Sequence, residues 1–264
     1  MYFICWNRLV TRSPVKSAKG NLFLIPTPIT DGKPELQLSQ EVKESVTQCH
    51  IFLVENIRSA TRFLSSYLDK ETMHNVVIEE ITNELSDDEV LQMLLPLTEG
   101  THAGILSEAG MPCIADPGAR IVSMAHTIGI AVRPLAGPSS IFMALVASGF
   151  NGQQFVFHGY LPRDSGQRRQ AIFHIEKDSP HRGYTQICME TPYRNMALFE
   201  DLIRILKPNT LLCVAAGLGG KNSFIRTKSV SEWKSSSPPI QKIPCIFLIL
   251  ASHKQVPNKH TRRK

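Results

Sequence analysis

Three short segments of this chain combine proline, glycine or small polar residues just where an apolar run ends. They are IPTPIT (Ile25 to Thr30), SEAGMPCIADPG (Ser107 to Gly118) and PLAGPSS (Pro134 to Ser140). Glycine lets a ligand approach the backbone closely, and proline stiffens a turn so that its N–H and C=O groups stay aimed. Any one of the three alone reads better as a tight turn. Together, beyond the ends of successive apolar runs, they suit a small molecule held mainly by backbone. The motifs of other ligand classes are missing: no GxGxxG follows the first run, and there is no GxxxxGK[ST] and no GxSxG. A dinucleotide fingerprint, a P-loop and a hydrolase elbow are therefore not supported.

The elements that must position these loops alternate between short β-rich runs and segments of helical period, the pattern of α/β layers. Strands are expected at Asn21 to Ile25, Ile51 to Val54, Val76 to Ile78, Ala103 to Ser107 and Ile130 to Pro134. Val42, Val46 and Cys49 recur at helical spacing behind Ser39, a suitable N-cap, and Phe63, Leu64, Tyr67 and Leu68 form a stripe after Arg58. Asp87 and Asp88 open a third helix carrying Val90, Leu91, Leu94 and Leu95. A helix from Ser139 to Ser148, apolar nearly all round and closed by Gly149, is expected to be deeply buried and to join two halves. Strands then follow at Phe155 to Tyr160, Thr185 to Met189, Leu211 to Ala216 and Cys245 to Leu250, with two helices among them. The clearer of these has Thr191 as N-cap, Pro192 at its first position, and Met196, Phe199, Ile203 and Leu206 facing inward. The expected division is a basic extension (1–20), an N-terminal α/β domain (21–136), a C-terminal α/β domain (137–252) and a basic tail (253–264).

With 264 residues, 42% of them hydrophobic and 20% charged, the chain has the make-up of an ordinary globular protein. Its net charge of +6 is uneven. The tails hold nine of the 29 cations (Arg8, Arg12, Lys16, Lys19, Lys254, Lys259, Arg262, Arg263 and Lys264) and no acid, leaving 20 against 23 carboxylates between them. A basic folded surface is thus not implied, and the tails read either as solvated ends or as nucleic-acid contacts. The six cysteines form no CxxC pair and no zinc spacing, and Cys188, Cys213 and Cys245 sit in apolar runs. A reducing cytoplasm and no metal are expected. No apolar stretch approaches the ~20 residues of a membrane-spanning helix, so no membrane partner is expected.

The order LIPTPI, VENIRSATRFL, ILSEAGMPCIADPG, PLAGPSSIFMAL, FHGYLP and METPYRNMALFEDL resembles the tetrapyrrole (corrin/porphyrin) methylase family. Within it, the likeness is to the branch of bacterial 16S ribosomal RNA methyltransferases that modify a cytidine ribose 2′-hydroxyl. The match runs over about residues 21 to 251. The resemblance implies two α/β domains, each with a mostly parallel or mixed sheet flanked by helices, a homodimer, S-adenosylmethionine in the cleft between the domains, and ribosomal RNA or the small ribosomal subunit as partner. It places cofactor contacts at Pro28, Ala109, Gly110, Met111 and Ile114, at Ser139 and Ser140, and at Glu190, Leu218 and Pro244. An apolar slot with few polar anchors would suit adenine and methionine, and a helix start at Ser139 and Ser140 would suit the cofactor's carboxylate.

Methyl transfer to a ribose hydroxyl needs alignment and a base, the latter worth roughly 10²- to 10⁴-fold. Glu55 and Glu108, each just past a strand, are the candidates, with Arg58 to bind phosphate or orient a carboxylate. Both acids read equally well as structural, Glu55 at a helix start and Glu108 within its loop. Asp116 reads as a turn or cap residue, and the scattered histidines read as structural. Arg163, Arg168 and Arg169 could clamp an RNA backbone or be plain solvated charge. The chain departs from the family pattern in four places: VENIR stands for an AEDTR-like stretch, so Asn56 replaces Asp; AGLGGK (Ala216 to Lys221) for an RELTK-like one; Ile243-Pro244 for Gly-Glu; and Thr30 for a glycine. Two other functions therefore stay open, a methyltransferase acting on a tetrapyrrole or other small molecule and a non-catalytic cofactor- or ribosome-binding module.

Overall fold

A computed structural model describes residues 18–30 and 37–251. The basic tails, Cys5 and the charges they carry lie outside the described residues, apart from Lys19, whose Nζ donates to the carbonyl of Ile128 at 2.7 Å. Two compact units emerge. Among the described residues, the first takes 18–25, Gln40–Glu108 and Pro112–Leu135; the second takes 26–30, 37–39, Ala109–Met111 and 136–251.

The first unit contains β1 (Asn21–Ile25), α1 (Gln40–Gln48), β2 (Ile51–Val54), α2 (Ile57–Leu64), α3 (Lys70–Asn75), β3 (Val77–Glu80), α4 (Asp87–Thr98), β4 (Ala103–Leu106), α5 (Gly118–Thr127) and β5 (Ala131–Pro134). Its sheet runs β3-β2-β4-β1-β5, and every pairing is parallel. Parallel neighbours require crossovers, which is why strands and helices alternate in sequence. Central strands β2 and β4 are buried along their whole length, whereas edge strand β3 is largely exposed. That exposure explains why the expected Val76 to Ile78 strand lies instead at Val77–Glu80: its outer half is Glu79-Glu80, which no apolar pattern marks. In α4, Ser86 and Glu89 form a capping box, and Val90, Leu94 and Leu97 turn inward. Leu95 is 41% exposed because it sits one position past that stripe.

The second unit holds α6 (Ser140–Ser148), β6 (Phe155–Tyr160), α7 (Ser165–Arg182), β7 (Thr185–Glu190), α8 (Asn195–Ile205), β8 (Leu211–Ala216), β9 (Phe224–Ser229), α9 (Val230–Trp233) and β10 (Cys245–Leu250). Its sheet is mixed, in order β6-β7-β10-β8-β9: β6 and β7 are parallel, while β10 runs against both β7 and β8, and β9 against β8. Three expectations are corrected. Strand β9 was not anticipated, since FIRTKS at the sheet edge carries Arg226 and Lys228 and buries little. Helix α8 starts at Asn195, not after Thr191; the Thr191 carbonyl instead accepts from the N–H groups of Arg194 and Asn195, closing a turn that contains Pro192. Helix α6 is not buried all round: Ile141, Ala144 and Leu145 face the sheet, but Phe142 is 50% and Val146 82% exposed. A nine-residue helix laid on one sheet face buries one stripe, whatever its composition.

The described cysteines are unbridged. Burial pushes the thiols of Cys49, Cys113, Cys188 and Cys245 up to about 12, so they act as small core groups and not as nucleophiles. No helix among the described residues is long and apolar enough to cross a membrane.

Candidate functional site

In the second unit the three proline- and glycine-rich segments meet through their backbones. Thr27 and Gly110 form an antiparallel bridge, with N–H to carbonyl distances of 2.9 and 3.1 Å in the two directions. Gly110 has φ +83°, and a Cβ there would stand 3.2 Å from the Pro138 carbonyl oxygen and from Ile29. At Gly137 a Cβ would fall 2.2 Å from the Pro26 side chain. At Gly137 any side chain would force a shift, and at Gly110 the positive φ favours glycine. Gln37 braces the first loop, its Oε1 accepting from the Ile29 N–H at 3.2 Å and its Nε2 donating to the Thr30 carbonyl at 3.3 Å.

Around this seam lie most of the expected cofactor residues. Gly110 is buried, Pro28, Met111, Ser139 and Ser140 are half-buried, and Ala109 is exposed. Ser139 caps α6 by position, yet its side chain makes no capping hydrogen bond. Leu218 is buried in the cluster that includes Ile141, Ile246 and Ile29, and the Pro244 carbonyl accepts from Gly217 at 3.2 Å. Glu190 sits opposite Cys245 at the end of β7 and is 2% exposed. Both its oxygens have partners, the Thr191 N–H at 2.7 Å and Arg194 Nη2 at 2.6 Å. Its side chain therefore braces the turn, and a ligand would meet the backbone there. Ile114 belongs to the first unit, where it is 40% exposed.

Two departures from the family pattern fit one another. The Thr30 methyl lies 3.5 Å from where a Cβ of Gly219 would stand and 3.6 Å from that of Gly220, so bulk on the first loop faces its absence on the β8–β9 loop. The loop backbones, with Ile29, Met111 and Leu218, make a backbone-rich and largely apolar donor set. Such a set fits a nucleoside joined to an amino acid. Gly137, Ile29, Gln37 and Gly219 were not singled out from sequence. Gly137 could have been, as the only residue in PLAGPSS lacking a Cβ; Gln37 gave no signal.

The catalytic candidates gather in the first unit. Because Val54 pairs with Leu106, the chain leaves β2 and β4 side by side, and Glu55 Oε2 accepts the Glu108 N–H at 3.1 Å. Burial raises the Glu55 pKa; the Glu108 N–H lowers it, and the charges of Asp116 and Glu108 raise it again. Asp116 holds its own loop, accepting from Cys113 N–H at 2.8 Å and from Gly118 N–H at 2.9 Å. That loop places Cys113 and Ala115 at φ +66° and +64°, a conformation L-residues adopt at a cost. Asn56 caps α2 through Oδ1, which accepts from Ser59 N–H at 3.1 Å, so its replacement of Asp leaves the cap intact. Arg58 is exposed in the first turn of α2, which has no acid, where the helix dipole disfavours a cation. Helix stability does not explain it.

Of the three arginines considered as RNA clamps, Arg168 is removed. Its Nε and Nη2 bind Asp201 Oδ2 at 2.8 and 2.5 Å, and it is only 12% exposed. His102 accepts the Asn21 N–H at Nδ1 and His158 pairs with Gln186, both structural contacts.

The chain matches the sequence profile described as Tetrapyrrole (Corrin/Porphyrin) Methylases over residues 21–232. A protein named ribosomal RNA small subunit methyltransferase I from Micromonospora olivasterospora is 33% identical over 196 residues, 74% of this chain and 59% of that relative. The protein of the same name from Thermotoga maritima is 30% identical over 223 residues, covering 83% of this chain and 94% of that relative. The chain thus spans about three fifths of the first relative's length and nearly all of the second. A solved structure of the methyltransferase CobJ superposes with a TM-score of 0.59 at 14% identity, over 93% of this chain and 97% of that one, a likeness of fold.

Proposed function

The chain belongs to the tetrapyrrole (corrin/porphyrin) methylases, and on that premise we propose that it is an S-adenosylmethionine-dependent methyltransferase acting on small-subunit ribosomal RNA, at a ribose 2′-hydroxyl. The observation that carries the reading is the backbone seam at Thr27, Gly110 and Gly137, which joins three loops where the resemblance expects the cofactor. The RNA acceptor is supported by the names of the relatives at 30 and 33% identity.

S-adenosylmethionine, when bound, supplies a methyl group already activated on a sulfonium. The chain's own work is alignment and proton removal. Pro28, Ala109, Gly110 and Met111 offer backbone and apolar contact, and the amides at the start of α6 offer an anion site near Ser139 and Ser140. Leu218 and Pro244 extend that surface from the neighbouring strands. Glu55 takes the hydroxyl proton as the nucleophile attacks. Its raised pKa makes it a stronger base than an ordinary carboxylate, and the Glu108 N–H fixes one of its oxygens. Arg58 steers a phosphate. Ile114 is retained as a cofactor contact by resemblance. A cytoplasmic homodimer completes the reading, checked by light scattering.

The test supplies full-length protein with methyl-labelled S-adenosylmethionine and small ribosomal subunits, then hydrolyses the RNA in alkali. Label in an alkali-resistant dinucleotide is expected, because a 2′-O-methyl group blocks cleavage at its own phosphate. Label on a base would move the acceptor; label on a tetrapyrrole and not RNA would replace it.

A further inference from the structure

In the second unit, Cys245 pairs with Glu190 and Ala216, and Ala216 with Phe224. The carboxyl ends of β6, β7 and β8 and the amino ends of β9 and β10 therefore share one sheet edge. Glu190, Leu218 and Pro244 are on it. So are side chains that stand open to solvent. Tyr193 is 87% exposed. Arg163, Lys221 and Lys242 are exposed in the β6–α7, β8–β9 and pre-β10 loops. The exposed acid among those loops is Asp164, occupied as the α7 N-cap through the Gln167 N–H at 2.8 Å. This cationic edge stands out in a chain whose middle carries more acids than bases.

The edge is also braced from within. Arg194, beside Tyr193, donates to Glu190 Oε2 at 2.6 Å and to the Leu161 carbonyl at 3.2 Å, tying the turn after β7 to the loop after β6. Arg168, anchored on Asp201, donates to the Arg163 carbonyl at 3.0 Å. Two ion pairs, each with a buried carboxylate, thus tie down the backbone next to Tyr193 and at Arg163. Aromatic rings and cations on a pre-ordered backbone lose little entropy on binding, and they match the two faces of an unpaired nucleic-acid strand: bases that stack and phosphates that repeat.

We propose that this edge is a binding surface for single-stranded RNA, with Tyr193 stacking on an unpaired base and Arg163, Lys221 and Lys242 contacting phosphates. The proposal rests on the RNA reading above and assigns residues to it. It places the acceptor strand on the same edge as Leu218 and Pro244.

The experiment measures binding of the full chain to a fluorescein-labelled oligouridylate of about 12 nucleotides at several salt concentrations, a strand long enough for one such surface. Tyr193→Ala is expected to weaken binding on the order of tenfold, and Tyr193→Phe to retain it. Arg163→Ala is expected to lower the salt slope by about 0.7, the share of one phosphate contact. S-adenosylmethionine affinity should be unchanged in all three. No binding by the unaltered protein, or unaltered binding by both Ala variants, overturns the proposal. Methyl transfer by the unaltered protein is scored separately: transfer with wild-type KM in the Ala variants sinks this surface alone, whereas RNA binding through Tyr193 without any transfer sinks the methyltransferase reading alone.

Discussion

In the proposed mechanism Glu55 is the base. Its folded pKa is raised above the ordinary 4.5, mainly by burial. An acid raised on folding binds more protons folded than unfolded, so stability is full below the ordinary value and falls as pH rises through the raised one. Glu55→Gln keeps an oxygen for the Glu108 N–H and removes that penalty. It should be at least as stable as the parent at neutral pH, with the difference vanishing below the ordinary carboxylate range, as urea titrations at both pH values would read. Its kcat should drop by roughly 10²- to 10⁴-fold, and the parent's kcat should fall as pH is lowered through the raised pKa. Asp116 makes the opposite case. Asp116→Ala strands two half-buried amides and should cost about 1–3 kcal/mol in denaturant unfolding, while Asp116→Asn, whose Oδ1 accepts from both, should cost less. The turn role was legible in the Asp-Pro-Gly sequence; the pairing of Glu55 with Glu108 was not, since it crosses 53 residues.

At the scale of elements, glycines decide where loops touch. Gly137→Ala pushes a methyl into Pro26 and should destabilise by about 1–3 kcal/mol; Gly110→Ala, at positive φ, should cost about 1–2 kcal/mol. Both should also weaken S-adenosylmethionine binding, seen as a smaller rise in melting temperature on adding it. Buried strands were readable because their apolar runs are unbroken, as at Ile51–Val54 and Cys245–Leu250. Edge strands β3 and β9 were misjudged or missed because an edge needs only half an apolar pattern. The exposed face of α6 was unreadable for the converse reason: composition says which residues can be buried, and packing decides which are. Arg168 looked like a surface cation until α8 supplied Asp201, 33 residues away.

For the whole molecule, family membership and the two α/β units were visible in the order of the motifs, whereas the acceptor was not. The overall basicity comes from tails whose charges, Lys19 apart, lie outside the described residues, so bulk charge never argued for RNA; the local edge at Tyr193 and Arg163 does. The claim beneath all of this is that the seam of Thr27, Gly110 and Gly137 belongs to an S-adenosylmethionine site. Isothermal titration of the full chain with S-adenosylmethionine tests it most directly. Saturable heat is expected, which S-adenosylhomocysteine competes away and Gly137→Ala weakens. No saturable binding by folded protein would contradict it.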